Sequence, residues 1–165
     1  MLERRRLFFM SMADSLFKKD TVFLLEDDKE YSAEEILQNI GKRLSKRGYV
    51  KESFGNALIE REKKYPTGLK TYPYAVAIPH TDLGHVNIPC ISFVRLKKGV
   101  DFHEMVNTSS VVNVQFLFCI ALDGEDKQTD ILQYIMKIIN DEMLMGKLKN
   151  ASNEKEIYQL LIENE

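Results

Sequence analysis

The spacing of apolar residues along this chain changes from helical periodicity to continuous runs and back again. Residues 36–44 place their apolar side chains on one helical stripe, and the segment just before them, residues 32–35, has the Ser-x-x-Glu sequence of a capping box. Gly48 is predicted to close this helix. A second helix is predicted over residues 51–64.

The middle of the chain contains apolar runs that predict strands. Residues 75–78 (AVAI) predict a buried strand, which Pro79 ends because proline lacks an N–H group and has a fixed φ. Residues 90–96 and 111–122 predict two more strands. The second of these is apolar nearly throughout, so it is expected to be central and covered on both faces. Residues 21–26 are either a short strand or the approach to a helix.

Two further helices are predicted near the C-terminus, over residues 130–139 and 154–163. The overall order is therefore helices, strands and helices, with at least three strands that can join one sheet. This order favours a layered α/β domain with a mixed sheet over a regular βαβ repeat. The length of 165 residues is typical of one domain, here 1–165.

Composition and charge exclude several classes of protein. Lys and Arg number 23 and Asp and Glu 25, so a net charge of −2 gives no electrostatic case for nucleic acid or an anionic membrane. The arginines at 4–6 precede an apolar run, 7–10, that is too short for an export signal or a membrane-spanning helix. Cys90 and Cys119 lie in apolar runs without a CxxC spacing, so buried free thiols of a cytosolic protein are expected.

His80 is the first candidate for chemistry, because it directly follows the strand and its proline. Groups just past the carboxyl end of a strand often form the reactive site of an open α/β sheet. The imidazole can act there as a nucleophile, a base, a metal ligand or a structural hydrogen-bonding group. Thr81 can orient the ring, bind a phosphoryl oxygen or only cap the loop. Asp82 and His85 allow a zinc site with His80, although no further ligand is evident; alternatively His85 binds the same anion as His80.

Arg61 lies at the end of the second predicted helix, on its inward stripe. A guanidinium group there either extends to solvent or pairs with a carboxylate or phosphate. The neighbouring Glu62 is expected to be a solvated charge. Thr67 and Gly68 can offer a hydroxyl and N–H groups to an anion, or they form a plain surface turn. The glycines form neither a P-loop nor a dinucleotide-binding motif, so no nucleotide cofactor is expected.

Two segments taken together resemble a known family. Residues 57–68 (ALIEREKKYPTG) and 75–81 (AVAIPHT) are similar to the ALxxRExxxPTG and xAIPH segments of IIA components of the bacterial phosphoenolpyruvate-dependent sugar phosphotransferase system. The resemblance is to type 2, the fructose/mannitol class, and it covers about residues 15–163, most of the chain by the usual size of a domain. It implies a three-layer α/β/α sandwich with a mixed sheet, as in the mannitol-type IIA domains.

The resemblance also implies a function. The protein is expected to be a cytoplasmic phosphotransferase in which His80 takes a phosphoryl group from phospho-HPr and passes it to a IIB component, which in turn serves a membrane IIC component. Arg61 inherits a phosphate-binding role, with Thr67 and His85 as further candidate phosphate ligands and Thr81 as a candidate hydrogen-bond donor. Neither a metal nor a cofactor is required, because a phosphohistidine donor is already activated.

The chain departs from the family pattern at one position. Mannitol- and fructose-type members carry a second active-site histidine in an HLxxL segment, which aligns here with residues 128–132. Gln128 can still donate a hydrogen bond but cannot become cationic, so it is expected to stabilise a phosphoryl group less strongly. Together with the PTGL and IPHTD segments, this glutamine is more similar to the galactitol branch.

Three other interpretations remain open at this stage. The domain can be a regulatory binding module that acts on other proteins through its phosphorylation state. It can be a metal-dependent hydrolase that uses His80, Asp82 and His85. It can also be an inactive paralogue, although Arg61 and the proline–histidine pair are intact.

Overall fold

The computed structural model describes residues 1–125 and 127–163 of the chain. Its helices in this part of the chain are α1 (Leu2–Leu16), α2 (Ala33–Lys46), α3 (Phe54–Lys64), α4 (Gln128–Ile139), α5 (Glu142–Asn150) and α6 (Glu154–Ile162). Its strands are β1 (Phe17–Leu25), β2 (Gly68–Leu69), β3 (Ala75–Ala77), β4 (Cys90–His103) and β5 (Val111–Ala121).

The strands form a mixed sheet in the order β1-β4-β5-β3-β2. β1 runs parallel to β4 and β3 runs parallel to β5, whereas β4 and β5 and also β2 and β3 are antiparallel. Helices α1, α4, α5 and α6 pack on one face of the sheet, and α2 and α3 pack on the other. The predicted three-layer α/β/α sandwich is therefore the observed fold.

Strand β5 lies at the centre of the sheet, as its continuous apolar sequence predicts. Successive side chains of a strand point to opposite faces. Phe116, Phe118 and Ile120 accordingly belong to the core beneath α1, α4, α5 and α6, while Leu117 and Cys119 belong to the core beneath α2 and α3. Burial on both faces explains why the strand contains almost no polar residues.

The two cysteines are buried free thiols, as predicted. Both lie in the core beneath α2 and α3. Burial raises the pKa of Cys90 to about 12 and raises that of Cys119 well above the ordinary value. Neither thiol is therefore poised for nucleophilic chemistry.

Helix α2 has the ends that its sequence predicts. The Ser32 side chain accepts a hydrogen bond from the Glu35 N–H at 3.1 Å, and the Glu35 carboxylate accepts one from the Ser32 N–H at 2.9 Å. These two bonds form the capping box. Gly48 follows the last turn with a φ of 84°, a left-handed conformation that glycine adopts without strain.

Two strand boundaries differ from the sequence expectation. The segment 21–26 belongs largely to β1, which begins at Phe17. Strand β4 continues beyond residue 96 to His103, because its second half pairs with β5 again after a register shift between Arg95 and Val100. Exposed lysines interrupt the apolar run there, so the sequence pattern hides the continuation.

Three elements were not predicted, and one is shorter than predicted. Among the described side chains of helix α1, Met12, Ala13 and Leu16 belong to the core. Strand β2 has two residues, and α5 is a nine-residue helix that buries Leu144, Met145 and Leu148. Helix α3 begins at Phe54 rather than at residue 51. Within the described residues, no helix is both long enough and apolar enough to cross a bilayer.

Candidate functional site

His80 is held just beyond the carboxyl end of β3, as predicted. Pro79 is buried, and its carbonyl oxygen accepts a hydrogen bond from the Ile120 N–H at 2.9 Å. His80 itself forms an isolated parallel bridge with Ile120. The backbone that carries the imidazole is therefore fixed against the central strand β5.

The protonation state of the His80 ring follows from its hydrogen bond. Nδ1 lies 2.9 Å from the carbonyl oxygen of Ile78. A carbonyl oxygen can only accept, so Nδ1 carries the proton and Nε2 carries the lone pair. Burial lowers the pKa of His80 and the positive charge of Arg61 lowers it further, while the Ile78 carbonyl and the Asp82 carboxylate act in the opposite direction. The ring is therefore neutral at physiological pH, with its nucleophilic nitrogen at Nε2.

A small surface depression surrounds this histidine. Its lining combines the ends of β3 and β5 with the start of α4: His80, Thr81, Leu83, Ile120, Leu122, Gly124 and Gln128. The structure thus brings together three of the site residues named from the sequence, His80, Thr81 and Gln128. Leu83 and Leu122 add apolar surface to this lining, and Leu83 is exposed.

Arg61 lies in the last turn of α3, beside this depression. Its Nη1 donates to the Asp82 carboxylate at 2.8 Å, and its guanidinium lies over the ring of Tyr65, 5.2 Å from the centroid. The Arg61 side chain is 29% exposed and that of Asp82 is 82% exposed. The Nε atom of Arg61 is buried without a hydrogen-bond partner. Arg61 therefore has an unused donor and an ion pair that solvent can reach.

The sequence interpretation of Glu62 and Thr67 was wrong. Thr67 is 2% exposed, so it is neither a plain surface turn nor open to an anion. Its N–H and its hydroxyl both donate to the Glu62 carboxylate, each at 2.8 Å. Glu62 is not a solvated charge, since burial raises its pKa. The turn folds back over the helix end, a tertiary contact that the helical phase of Glu62 does not reveal.

His85 and Asp82 are directed away from a shared metal site with His80. The Nδ1 atom of His85 lies 2.8 Å from the Ser53 hydroxyl, and Asp82 pairs with Arg61. Among the described residues, no three His, Cys, Asp or Glu side chains converge as metal ligands would. His103 is exposed, with its Nδ1 2.9 Å from the Thr108 carbonyl oxygen.

Sequence reasoning missed two groups that shape the site. The Ile78 carbonyl sets the tautomer of His80, and Asp82 holds Arg61. Asp82 had been considered only as a metal ligand. Its pairing with a cation on α3 depends on how α3 packs beside the loop after β3, which the sequence pattern does not specify.

Comparison with known proteins adds independent findings. The family model described as "Phosphoenolpyruvate-dependent sugar phosphotransferase system, EIIA 2" matches residues 15–164. The galactitol-specific EIIA component of Escherichia coli (strain K12) is 28% identical over 99 residues, which are 60% of this chain and 65% of that protein. The chain therefore matches slightly less than two thirds of the length of this relative.

Two further proteins match over more of their length. The mannitol-specific phosphotransferase enzyme IIA component of Bacillus subtilis (strain 168) is 29% identical over 138 residues, 80% of this chain and 87% of that protein. The solved complex of enzyme IIA and phosphorylated enzyme IIB for mannitol from Escherichia coli contains a chain that superposes with a TM-score of 0.70 at 22% identity. This superposition covers 90% of the present chain and 100% of that one, which establishes likeness of fold.

Proposed function

Because this chain belongs to the EIIA 2 family of the phosphoenolpyruvate-dependent sugar phosphotransferase system, we propose that it is a cytoplasmic phosphocarrier. His80 accepts a phosphoryl group from phospho-HPr and passes it to a IIB component for sugar uptake. The observation that carries this proposal is the neutral His80 ring, whose Nδ1–H is held by the Ile78 carbonyl and whose Nε2 lone pair remains for attack.

The chemical step needs no proton transfer. The Nε2 lone pair of His80 forms a bond to phosphorus while the P–N bond of the donor phosphohistidine breaks, and that electron pair returns to the donor imidazole. The Nδ1 proton stays on His80, and the Ile78 carbonyl stabilises the positive charge that the ring then acquires. The transition state is loose and in line, so the protein contributes positioning and charge stabilisation.

Arg61 supplies the positive charge that stabilises the phosphoryl group in the transition state. Its planar guanidinium suits the equatorial phosphoryl oxygens, and the side chain is partly exposed, so that a phosphoryl group can reach it. The exposed Asp82 carboxylate holds Arg61 at the site before a phosphoryl group arrives. Once the phosphoryl group has arrived, its oxygens compete with Asp82 for the Nη1 atom of Arg61. Arg61 is therefore a phosphate ligand kept in place by a solvent-accessible carboxylate.

Gln128 and Thr81 add neutral hydrogen bonds. Both line the depression with His80, and an amide and a hydroxyl can each donate to a phosphoryl oxygen. Thr67 has no part in phosphate binding in this proposal, because its donors are occupied by Glu62. His85 has none either, because its ring is bonded to Ser53 and it does not line the depression.

The partners follow from this role. Phospho-HPr and the IIB component must dock in turn over the same small depression, which suits transient encounters with small interfaces. The mannitol relative was solved together with its phosphorylated IIB partner. Galactitol is the first sugar to test, because galactitol-specific EIIA components are among the relatives.

The proposal is tested by incubating the purified chain with enzyme I, HPr and phosphoenolpyruvate. We expect stoichiometric phosphorylation of the wild type and none of His80→Gln, with His103→Ala as the matched control on a surface histidine. Phosphorylation of the His80→Gln variant would reject His80 as the acceptor. A second stage adds the cognate IIB component, with a galactitol-type component tested first; a chain that accepts phosphate but passes it on poorly to its cognate IIB would be a regulator and not a carrier.

A further inference from the structure

Glu62 is connected to the His80 ring by consecutive hydrogen bonds. The Glu62 carboxylate accepts from the N–H and the hydroxyl of Thr67. The Thr67 carbonyl oxygen accepts from the Ile78 N–H at 3.3 Å. The Ile78 carbonyl oxygen in turn accepts from Nδ1–H of His80 at 2.9 Å. The path links α3, the turn before β2 and the end of β3.

The burial of Glu62 has no evident benefit for stability. A carboxylate that loses water costs free energy unless its hydrogen bonds compensate fully. Here the compensation is incomplete, because burial raises the pKa of Glu62 despite both bonds from Thr67. Residues that cost stability are commonly retained at functional sites.

We propose that Glu62 is a positioning residue: through Thr67 and Ile78 it fixes the carbonyl group that keeps the His80 ring in its Nδ1–H tautomer. The consequence for phosphoryl transfer rests on the function proposed above. A neutral imidazole has one lone pair, so only this tautomer presents the lone pair at Nε2.

The two-point contact explains why Glu62 is suited to this task. The N–H and hydroxyl of one residue, Thr67, bind the two oxygens of one carboxylate, which fixes the orientation of the Thr67 backbone as well as its position. The Thr67 carbonyl then holds Ile78 in register with the turn. If the contact is lost, the Ile78 carbonyl is freer to rotate, and the Nε2–H tautomer, which has no lone pair at Nε2, becomes populated.

Four variants of the full chain separate positioning from general stabilisation. Glu62→Ala removes both acceptors, and Thr67→Val removes the hydroxyl donor alone. Glu62→Gln retains an acceptor for the Thr67 N–H and lets its amide donate to the hydroxyl. Lys63→Ala is the control, because Lys63 is exposed on the same turn of α3 and pairs with surface carboxylates.

The direct readout is the tautomer of His80, measured from imidazole ¹⁵N shifts at a pH above its pKa. The second readout is the initial rate of phosphorylation by phospho-HPr. We expect Glu62→Ala to populate the Nε2–H tautomer and to slow transfer roughly 10- to 100-fold, as displacement of a reacting group does. Thr67→Val should show a smaller change of the same kind, and Glu62→Gln and Lys63→Ala should resemble the wild type.

The inference is overturned if Glu62→Ala and Thr67→Val keep the Nδ1–H tautomer fully populated, even when their rates fall. If Glu62→Ala does not fold, the tautomer in Thr67→Val decides the question in the same way. Failure of the wild type to accept phosphate would reject the proposed function, whereas the tautomer comparison would still test the role of Glu62.

Discussion

The Nδ1 atom of His80 lies 2.9 Å from the carbonyl oxygen of Ile78, two residues earlier in the chain. The contact crosses Pro79, whose own carbonyl is bonded to the Ile120 N–H. Proline has a fixed φ, which limits the backbone freedom between donor and acceptor. The tautomer of the ring is thus set by a contact that is supported on one side by the β5 bond to Pro79 and on the other by the Thr67 bond to the Ile78 N–H.

The first prediction is that phosphorylation occurs at Nε2 of His80. The Nδ1 atom is occupied by its proton and the Ile78 carbonyl, so phosphorus can bond only to the other nitrogen. Scalar coupling between ³¹P and ¹⁵N in labelled, phosphorylated protein identifies the nitrogen directly. Detection of the phosphoryl group on Nδ1 would contradict this assignment.

The second prediction concerns pH. Burial lowers the pKa of His80 in the folded protein below the ordinary value of 6.5 for histidine. The transfer rate should therefore stay constant from neutral pH down past 6.5 and fall only when the folded ring takes up a proton. The unfolded chain binds that proton at the higher pH, so stability should decrease as pH falls below about 6.5. Chemical denaturation of wild type and His80→Gln across pH 5–8 should show a larger loss in the wild type, and the difference between the two proteins is the contribution of His80.

The third prediction concerns Arg61. Arg61→Gln should slow transfer by roughly 100-fold, the lower range for loss of one charge-stabilising donor. The positive charge of Arg61 lowers the pKa of His80, so the acid limb of the rate profile should move to higher pH in this variant. Arg61→Lys retains the charge without the planar fork and should keep the position of the acid limb while losing part of the rate. A rate profile of Arg61→Gln that matches the wild type in height and position would remove Arg61 from the site.

The fourth prediction concerns Gln128. If its amide binds the phosphoryl group, Gln128→Ala should slow transfer about 5-fold, corresponding to a neutral hydrogen bond worth about 1 kcal/mol. Gln128→His offers a side chain that can become cationic, so its rate should exceed that of Gln128→Ala. Thr129→Ala is the matched control on the exposed neighbour. Equal rates for Gln128→Ala and the wild type would show that Gln128 lines the depression without binding the phosphoryl group.

Much of the fold was predictable because its strongest signals are local. Strand β5 has a continuous apolar sequence, the capping box at Ser32 lies within four residues, and the strand–proline–histidine segment is a short contiguous motif. The weaker elements were missed for the opposite reason. The second half of β4 is amphipathic and depends on pairing with β5, and α5 is short, with three buried apolar residues in nine positions.

The candidate site was predicted in its main members but not in their partners. His80 could be identified from a local motif, and Gln128 by alignment with the family. The role of Glu62 and the pairing of Arg61 with Asp82 depend on the turn before β2 and the loop after β3 closing over the end of α3. Periodicity describes which face of a helix is apolar; it does not specify which loop covers the helix end.

The last prediction tests how tightly α3, which carries Arg61, must pack. A Cβ atom built on Gly41 of α2 would lie 2.6 Å from the Cα of Gly55 on α3, a backbone atom that cannot move aside alone. Gly41→Ala should therefore separate the helices and destabilise the protein by about 1–3 kcal/mol, the usual cost of overpacking. It should also slow phosphoryl transfer, because Arg61 moves with α3.

Gly146 of α5 is the matched control, since a Cβ there meets no atom within 4 Å. Gly146→Ala should stabilise the chain by about 0.5–1 kcal/mol through the lower entropy of the unfolded state and leave transfer unchanged. Thermal unfolding and the phosphorylation assay on both variants test this contrast, and two variants of equal stability would show that the close approach of α2 and α3 is not required.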